Sequence, residues 1–124
     1  SGFSLTDFSN MNNVTMLMDY KENGSLKQLI EKEERNQAPH EYDNTAKQII
    51  LCGICHGMMV LHSRRVIHRD LKPDNILLDA NYYPCITDFG LSKFLDPENS
   101  KSQSMSGCGT VSYIAPEVLD GNYY

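Results

Sequence analysis

The chain has 124 residues, a net charge of -5 and 40% hydrophobic residues, which is ordinary composition for a globular protein and does not favour disorder. The acidic balance argues against sequence-independent binding to nucleic acid, because a phosphate backbone demands surplus Lys and Arg. The longest apolar runs are far shorter than a bilayer span and the first residues are not an export signal, so we expect a cytoplasmic chain with no membrane segment, unless a flank carries an anchor.

The first predicted element is a short apolar strand at residues 14–18, which read Val-Thr-Met-Leu-Met. Glu-Asn-Gly at residues 22–24 is typical of a turn. Ser25 and Gln28 then have the spacing of a capping box, which predicts a helix over residues 26–34. Taken alone, this part of the chain indicates no more than a buried strand, a turn and a helix.

A second helix is predicted over residues 45–62, the strongest periodic segment of the chain. Two glycines inside it cost helix stability but permit a neighbouring backbone to approach closely. The apolar and small residues at helical spacing are Ala46, Ile49, Ile50, Gly53, Ile54, Gly57, Met58 and Leu61.

Cys52 and Cys55 have the spacing of one ligand pair of a zinc site, but the sequence has no second pair at such a spacing. We therefore expect packed, reduced thiols, and we interpret Cys85 and Cys108 in the same way. His56 and His62 are interpreted as packing or surface residues for the same reason.

A hairpin is predicted further along, because residues 76–78 and 85–87 flank a turn at residues 79–84. Leu77 in its first arm fits an ordinary core leucine.

Three short motifs surround this hairpin. Residues 68–75 read His-Arg-Asp-Leu-Lys-Pro-Asp-Asn, residues 88–90 read Asp-Phe-Gly, and residues 115–117 read Ala-Pro-Glu. Each motif alone is weak, because surface loops use Asp, Asn and Gly in turns. In this order and at this spacing, the three together make the chain resemble a eukaryotic protein kinase.

The resemblance implies an α+β, protein kinase-like fold of which the chain is a fragment. Residues 1–18 would be the end of the N-lobe sheet, 19–24 the hinge, and 25–124 the upper C-lobe with the catalytic loop and the activation segment. The glycine-rich loop and the Val-Ala-x-Lys strand of the family are not in the sequence, which stops seven residues after Glu117. We therefore expect this fragment to be inactive in isolation.

The resemblance also assigns a nucleotide site. Met18 would be the gatekeeper behind the adenine pocket, and Asp19, Tyr20 and Lys21 would offer backbone groups to the purine. Leu77 would form the floor under the ring, a role that needs only an apolar side chain.

Four residues of the motifs would carry the chemistry. Asp70 would accept the proton of the substrate hydroxyl, and Lys72 would contact the transferring phosphoryl group of ATP. Asn75 and Asp88 would bind Mg²⁺ together with the nucleotide phosphates, because both supply hard oxygen atoms. His68 would be a core residue stacked near Phe89.

The resemblance favours transfer to serine or threonine, because protein-tyrosine kinases usually carry another residue at the position of Lys72. Thr110 supports the same specificity, since the family places a threonine hydroxyl there to bond the catalytic aspartate and lysine. The hinge exit at residues 23–26 resembles most the tyrosine-kinase-like branch. The four chemical positions carry no substitution, so an inactive pseudokinase is not indicated.

Regulation is a further expectation. Phosphorylation of a serine in the activation segment would add about -1.5 to -2 charge, and Arg69 with Lys93 would form its basic receptor. A merely flexible polar loop is the alternative. The serines concerned are Ser100, Ser102, Ser104 and Ser106.

We thus expect a segment of an ATP- and Mg²⁺-dependent serine/threonine protein kinase whose partners are ATP and a protein substrate. The alternatives are a non-catalytic, truncated kinase that acts as decoy or scaffold, and a phosphotransferase acting on small molecules. The sequence leaves the substrate, the activating signal and the oligomeric state open.

Overall fold

The structure, a computed structural model, describes residues 2–4, 15–94 and 110–119. Its first described elements are β1 (Gly2–Ser4) and β2 (Thr15–Leu17), which pair antiparallel. The predicted strand at 14–18 is therefore present over its central three residues. The four serines of the proposed regulatory site and Cys108 lie outside the described residues.

Helix α1 (Leu26–Glu34) has the predicted bounds. The side chain of Ser25 accepts a hydrogen bond from the Gln28 amide, and the Gln28 side chain accepts one from the Ser25 amide, at 3.3 and 3.1 Å. The predicted capping box is confirmed. It satisfies two of the amides that every helix start leaves without intrahelical partners.

Helix α2 (Asn44–Ser63) begins one residue earlier and ends one residue later than predicted. The Asp43 carboxylate caps its start, accepting hydrogen bonds from the amides of Thr45 and Ala46 at 2.8 and 2.9 Å. An aspartate is among the best caps because its charge also suits the positive end of the helix dipole.

The predicted hairpin is formed by β4 (Ile76–Leu78) and β5 (Pro84–Ile86), with Leu77 opposite Cys85. Its second strand begins and ends one residue earlier than predicted. Helix α2 packs across β5. A Cβ added to Gly53 would lie 2.4 Å from Pro84 Cγ, and one added to Gly57 would lie 2.8 Å from Ile86 Cδ1. The predicted close approach is present, but the neighbours are side chains of β5 rather than a backbone.

One core joins α1, α2 and the hairpin. Leu78 is fully buried, and α2 contributes its Ala46 and Ile50 to the same cluster. A further strand pair, β3 (Val66–Ile67) with β6 (Lys93–Phe94), brings the chain after residues 88–90 back to the stretch before residues 68–75, the predicted catalytic loop. The remaining described helix is α3 (Pro116–Leu119), which contains Glu117.

The expectation of packed thiols is wrong for Cys52 and Cys55, which are exposed, free cysteines. They lie on the face of α2 turned away from β5, together with Leu51 and Met59, whose exposed fractions are 63% and 59%. Helical spacing predicts which residues share a face, but not whether another element covers that face. Cys85 is half-buried, as expected.

Two negative findings concern the described residues only. They contain no helix that is both long and apolar enough to cross a membrane. Nor do they bring together three His, Cys, Asp or Glu side chains that could hold a metal ion by themselves.

Candidate active site

Asp70 is the centre of a buried polar network on the loop between β3 and β4. Its side chain is 8% exposed. One carboxylate oxygen, Oδ2, accepts from Lys72 Nζ at 3.0 Å and from Asn75 Nδ2 at 3.1 Å. The other, Oδ1, accepts from the amide and from the hydroxyl of Thr110, each at 3.0 Å. Thr110 therefore reaches the catalytic loop from forty residues further along the chain.

The ammonium group of Lys72 links the two sides of this network, because it also donates to Thr110 Oγ1 at 2.7 Å. Asp70 and Lys72 of one motif thus meet Thr110, from a distant part of the chain, in one triangle of hydrogen bonds. A buried charge is tolerable only when it is paired and bonded in this way.

Burial by itself raises the pKa of Asp70, since it penalises the charged carboxylate. The hydrogen bonds from Lys72, Thr110 and Asn75 outweigh burial and hold the pKa of Asp70 below its ordinary value. The carboxylate is therefore charged at neutral pH, and its two oxygens together accept four hydrogen bonds.

Asn75 lies in the 3-10 turn Pro73–Asn75, and its amide orientation is fixed by two hydrogen bonds from Nδ2. These go to the Asp70 carboxylate and, at 2.8 Å, to the Asp70 carbonyl oxygen. Because the nitrogen faces Asp70, the amide oxygen is directed elsewhere. That oxygen is the atom that suits a hard metal ion.

His68 is 1% exposed and bonds to two parts of the site. Its Nδ1 accepts from the Asp70 amide at 3.3 Å, so Nε2 carries the proton and donates to the Thr87 carbonyl at 2.9 Å. The predicted stacking of His68 near Phe89 is confirmed, with ring centroids 5.1 Å apart in an edge-on arrangement.

Sequence reasoning missed the part played by Thr87. Besides accepting from His68, its amide and hydroxyl both donate to the Asn75 carbonyl, at 2.8 and 3.1 Å. Thr87, the residue before Asp88, therefore attaches the loop of residues 68–75 to the start of the Asp-Phe-Gly motif. Its position directly before the Asp-Phe-Gly motif was the available signal.

Asp88 itself is exposed and lies just before the 3-10 turn Phe89–Leu91. Its backbone is left-handed, with φ of 62°, a conformation that costs a non-glycine residue about 1–3 kcal/mol. The carboxylate accepts a long hydrogen bond of 3.4 Å from the Gly90 amide. The side chain of Asp88 is thus accessible to solvent.

The predicted nucleotide site is divided between two segments. Leu77 is half-buried and points away from the core, because its neighbours Ile76 and Leu78 take the buried face of the strand. Met18 and Tyr20 are 54% and 81% exposed. Asp19 is exposed and Lys21 half-buried in the same irregular segment, which follows β2.

The chain matches the protein kinase domain model over residues 5–124. It is 38% identical over 117 residues to cAMP-dependent protein kinase type 3 of Saccharomyces cerevisiae, which covers 94% of this chain and 27% of that protein. It is 40% identical over 116 residues to cell cycle serine/threonine-protein kinase CDC5/MSD2 of the same organism, covering 94% of this chain and 15% of that protein.

A human relative, 3-phosphoinositide-dependent protein kinase 1, is 37% identical over 102 residues, which are 82% of this chain and 17% of that protein. The chain spans about a quarter or less of the length of these relatives. The α+β arrangement, the order of the three motifs and the network around Asp70 agree with the family match. The chain belongs to the protein kinase family.

Proposed function

We propose that this chain forms part of the catalytic centre of an ATP-dependent kinase that phosphorylates serine or threonine residues of proteins. The observation that carries the proposal is the network in which Asp70, Lys72, Asn75 and Thr110 meet. The similarity to a cell cycle serine/threonine-protein kinase supports the choice of acceptor. Assignment to the tyrosine-kinase-like branch stays a prediction.

In the proposed reaction the acceptor oxygen of the substrate forms a bond to the γ-phosphorus of ATP. The bond from that phosphorus to the bridging oxygen breaks, and ADP leaves. The hydroxyl proton passes to Asp70. Since the pKa of Asp70 is low, the proton moves late, when the new bond to phosphorus has made the hydroxyl more acidic.

Lys72 has two tasks in this proposal. In the chain as described, its ammonium holds Asp70 and Thr110 together. During transfer it would also contact the phosphoryl group, where a fixed positive charge stabilises the developing negative charge. Thr110 keeps both side chains oriented toward the acceptor.

The residues present fit a magnesium ion. Asn75 and Asp88 supply hard oxygen ligands, and the orientation of the Asn75 amide leaves its oxygen directed away from Asp70. When bound there with the nucleotide phosphates, Mg²⁺ would neutralise the charge on the β- and γ-oxygens. Two protein ligands suit an ion that keeps several waters and phosphate oxygens in its shell.

The test uses the full-length protein that contains this chain, with ATP and three acceptor peptides that differ only in a Ser, Thr or Tyr residue. We expect transfer to Ser and Thr, and a fall in kcat of about 10²- to 10⁴-fold in Asp70→Asn with little change in the KM for ATP. Asp43→Asn is the matched control, because asparagine caps a helix as well as aspartate does.

Unchanged transfer in Asp70→Asn would refute the role given to Asp70. A full-length protein that transfers no phosphate to any peptide or small metabolite, yet binds other proteins, would instead support a decoy or scaffold. The proposed phosphoserine receptor stays a separate prediction, because its serines and the Lys93 side chain lie outside the described residues.

A further inference from the structure

Residues 23–25 lie beside the edge of β4 that β5 leaves unpaired, and they pair with β4 through an isolated β-bridge. The Asn23 amide donates to the Leu78 carbonyl at 3.1 Å, and the Leu78 amide donates to the Gly24 carbonyl at 2.9 Å. Ser25 and Leu77 form an antiparallel bridge. Strand β4 therefore has hydrogen-bonded neighbours on both edges, β5 on one and this segment on the other.

The side chain of Asn23 adds a bond that the backbone pairing does not require. Its Nδ2 donates to the Asp79 carbonyl oxygen at 2.8 Å, across 56 positions of sequence. The acceptor is itself held in place, because the Asp79 side chain accepts from the amides of Asn81 and Tyr83, both at 2.9 Å. Asn23 thus attaches the segment before α1 to a rigid hairpin turn.

This side-chain bond adds to a pairing that has few backbone bonds. A segment held by so few backbone bonds is weakly specified and can slip along its neighbour. A shift of residues 23–25 along β4 would break the bond from the Asn23 amide to the Asp79 carbonyl. The bond therefore favours the observed register over a shifted one.

Asn23 stands two residues after Lys21, and its partner Leu78 directly follows Leu77. These two places are the opposite sides of the nucleotide-base site in the proposed function, on which this inference rests. We infer that Asn23 is a positioning residue that holds residues 19–21 in register with Leu77 and so sets the width of the base site. It touches neither the phosphates nor the acceptor.

The test measures binding at the base site and at the phosphate site separately, in the full-length protein. Adenosine probes the base site alone, and Mg²⁺-tripolyphosphate probes the phosphate site alone. In Asn23→Ala we expect the Kd of adenosine to rise about fivefold, the change produced by loss of one net hydrogen bond. The Kd of tripolyphosphate should stay within about twofold. Asn81→Ala, an exposed asparagine of the same hairpin, is the control and should change neither.

Equal weakening of both ligands, or no difference from Asn81→Ala, would overturn the inference. If Asn23→Ala does not fold, Asn23→Ser is measured with the same two ligands, since its shorter side chain does not span the distance to Asp79. Failure of both variants to fold would also overturn it, because the bond would then serve the fold rather than the base site. A wild-type protein that binds neither ligand would refute the proposed function itself.

Discussion

Asp70 and Asp88 are marked equally clearly by their motifs, yet the fold gives the two carboxylates opposite surroundings. Asp70 is 8% exposed and accepts hydrogen bonds from three other side chains. Asp88 is exposed, and its described hydrogen bond is a 3.4 Å contact inside its own turn. The fold therefore holds the Asp70 carboxylate in position, whereas the Asp88 carboxylate is accessible to solvent.

Two residues that both have a part in the proposed chemistry can therefore contribute unequally to stability. Removing a partner from the Asp70 network leaves a buried charge or carbonyl without its donors, which costs folding free energy. Changing Asp88 leaves no such buried group.

Asp88→Asn should separate activity from stability most sharply. We expect phosphoryl transfer to fall about a hundredfold or more, because a bound metal ion contributes several kcal/mol of charge stabilisation. The free energy of unfolding should change by about 0.5 kcal/mol or less, as for most exposed positions. Steady-state kinetics and urea unfolding measure the two quantities, with Asp43→Asn as control. A large loss of stability would contradict the contrast.

Asn75→Ala should lower both phosphoryl transfer and the free energy of unfolding. The variant removes two hydrogen bonds to Asp70 inside a buried site, so we expect a loss of about 1–3 kcal/mol in unfolding free energy, together with reduced transfer. Asn81→Ala, at an exposed position, should be close to wild type. If the two variants unfold at the same denaturant concentration, the buried network does not stabilise the fold.

Thr110→Val tests the link between the catalytic loop and the activation segment. Valine has a similar shape but no hydroxyl. Asp70 therefore keeps the hydrogen bond from the amide of residue 110 and loses the one from the hydroxyl, while Lys72 loses an acceptor. We expect the pKa of Asp70 to rise and transfer to fall about tenfold. Thr110→Ser retains the hydroxyl and should stay within about twofold of wild type. Equal activity of both variants would show that the hydroxyl group is not needed.

The lowered pKa of Asp70 predicts a pH dependence of stability. A carboxyl whose folded pKa lies below its unfolded value stabilises the fold above the unfolded pKa, about 3.9, and this contribution is lost as the pH falls through the folded pKa. Urea unfolding from pH 7 to pH 2.5 should therefore show a steeper acid loss in wild type than in Asp70→Asn. If stability falls equally with pH in the two proteins, Asp70 has the same pKa in the folded and unfolded states.

The smallest effect is expected for Lys27→Met. The ion pair of Lys27 with Asp74 is 3.0 Å long, but the two side chains are 53% and 39% exposed. Solvent and salt screen such pairs, so the variant should unfold almost as wild type does, and any difference should vanish in about 1 M salt. A salt-independent loss of stability would show a role beyond charge pairing.

Much of the local structure was predictable from short-range rules. The capping box at Ser25, the bounds of α1 and the pairing of residues 76–78 with the next strand follow from spacing and residue type. The exposure of Cys52 and Cys55 was not predictable. Periodicity identifies the residues of one helix face, whereas burial depends on what packs against that face.

The motifs place fixed residue types at short, fixed spacings, so the family and the residues of the proposed chemistry can be identified from the sequence. How these residues meet is visible only in the folded chain, where Thr110 reaches Asp70 across forty positions and Asn23 reaches Asp79 across 56. Thr87 joins the two motif loops through hydrogen bonds that its side-chain type alone does not reveal. Contacts between distant segments depend on how the elements pack, and no local pattern of residues encodes that packing.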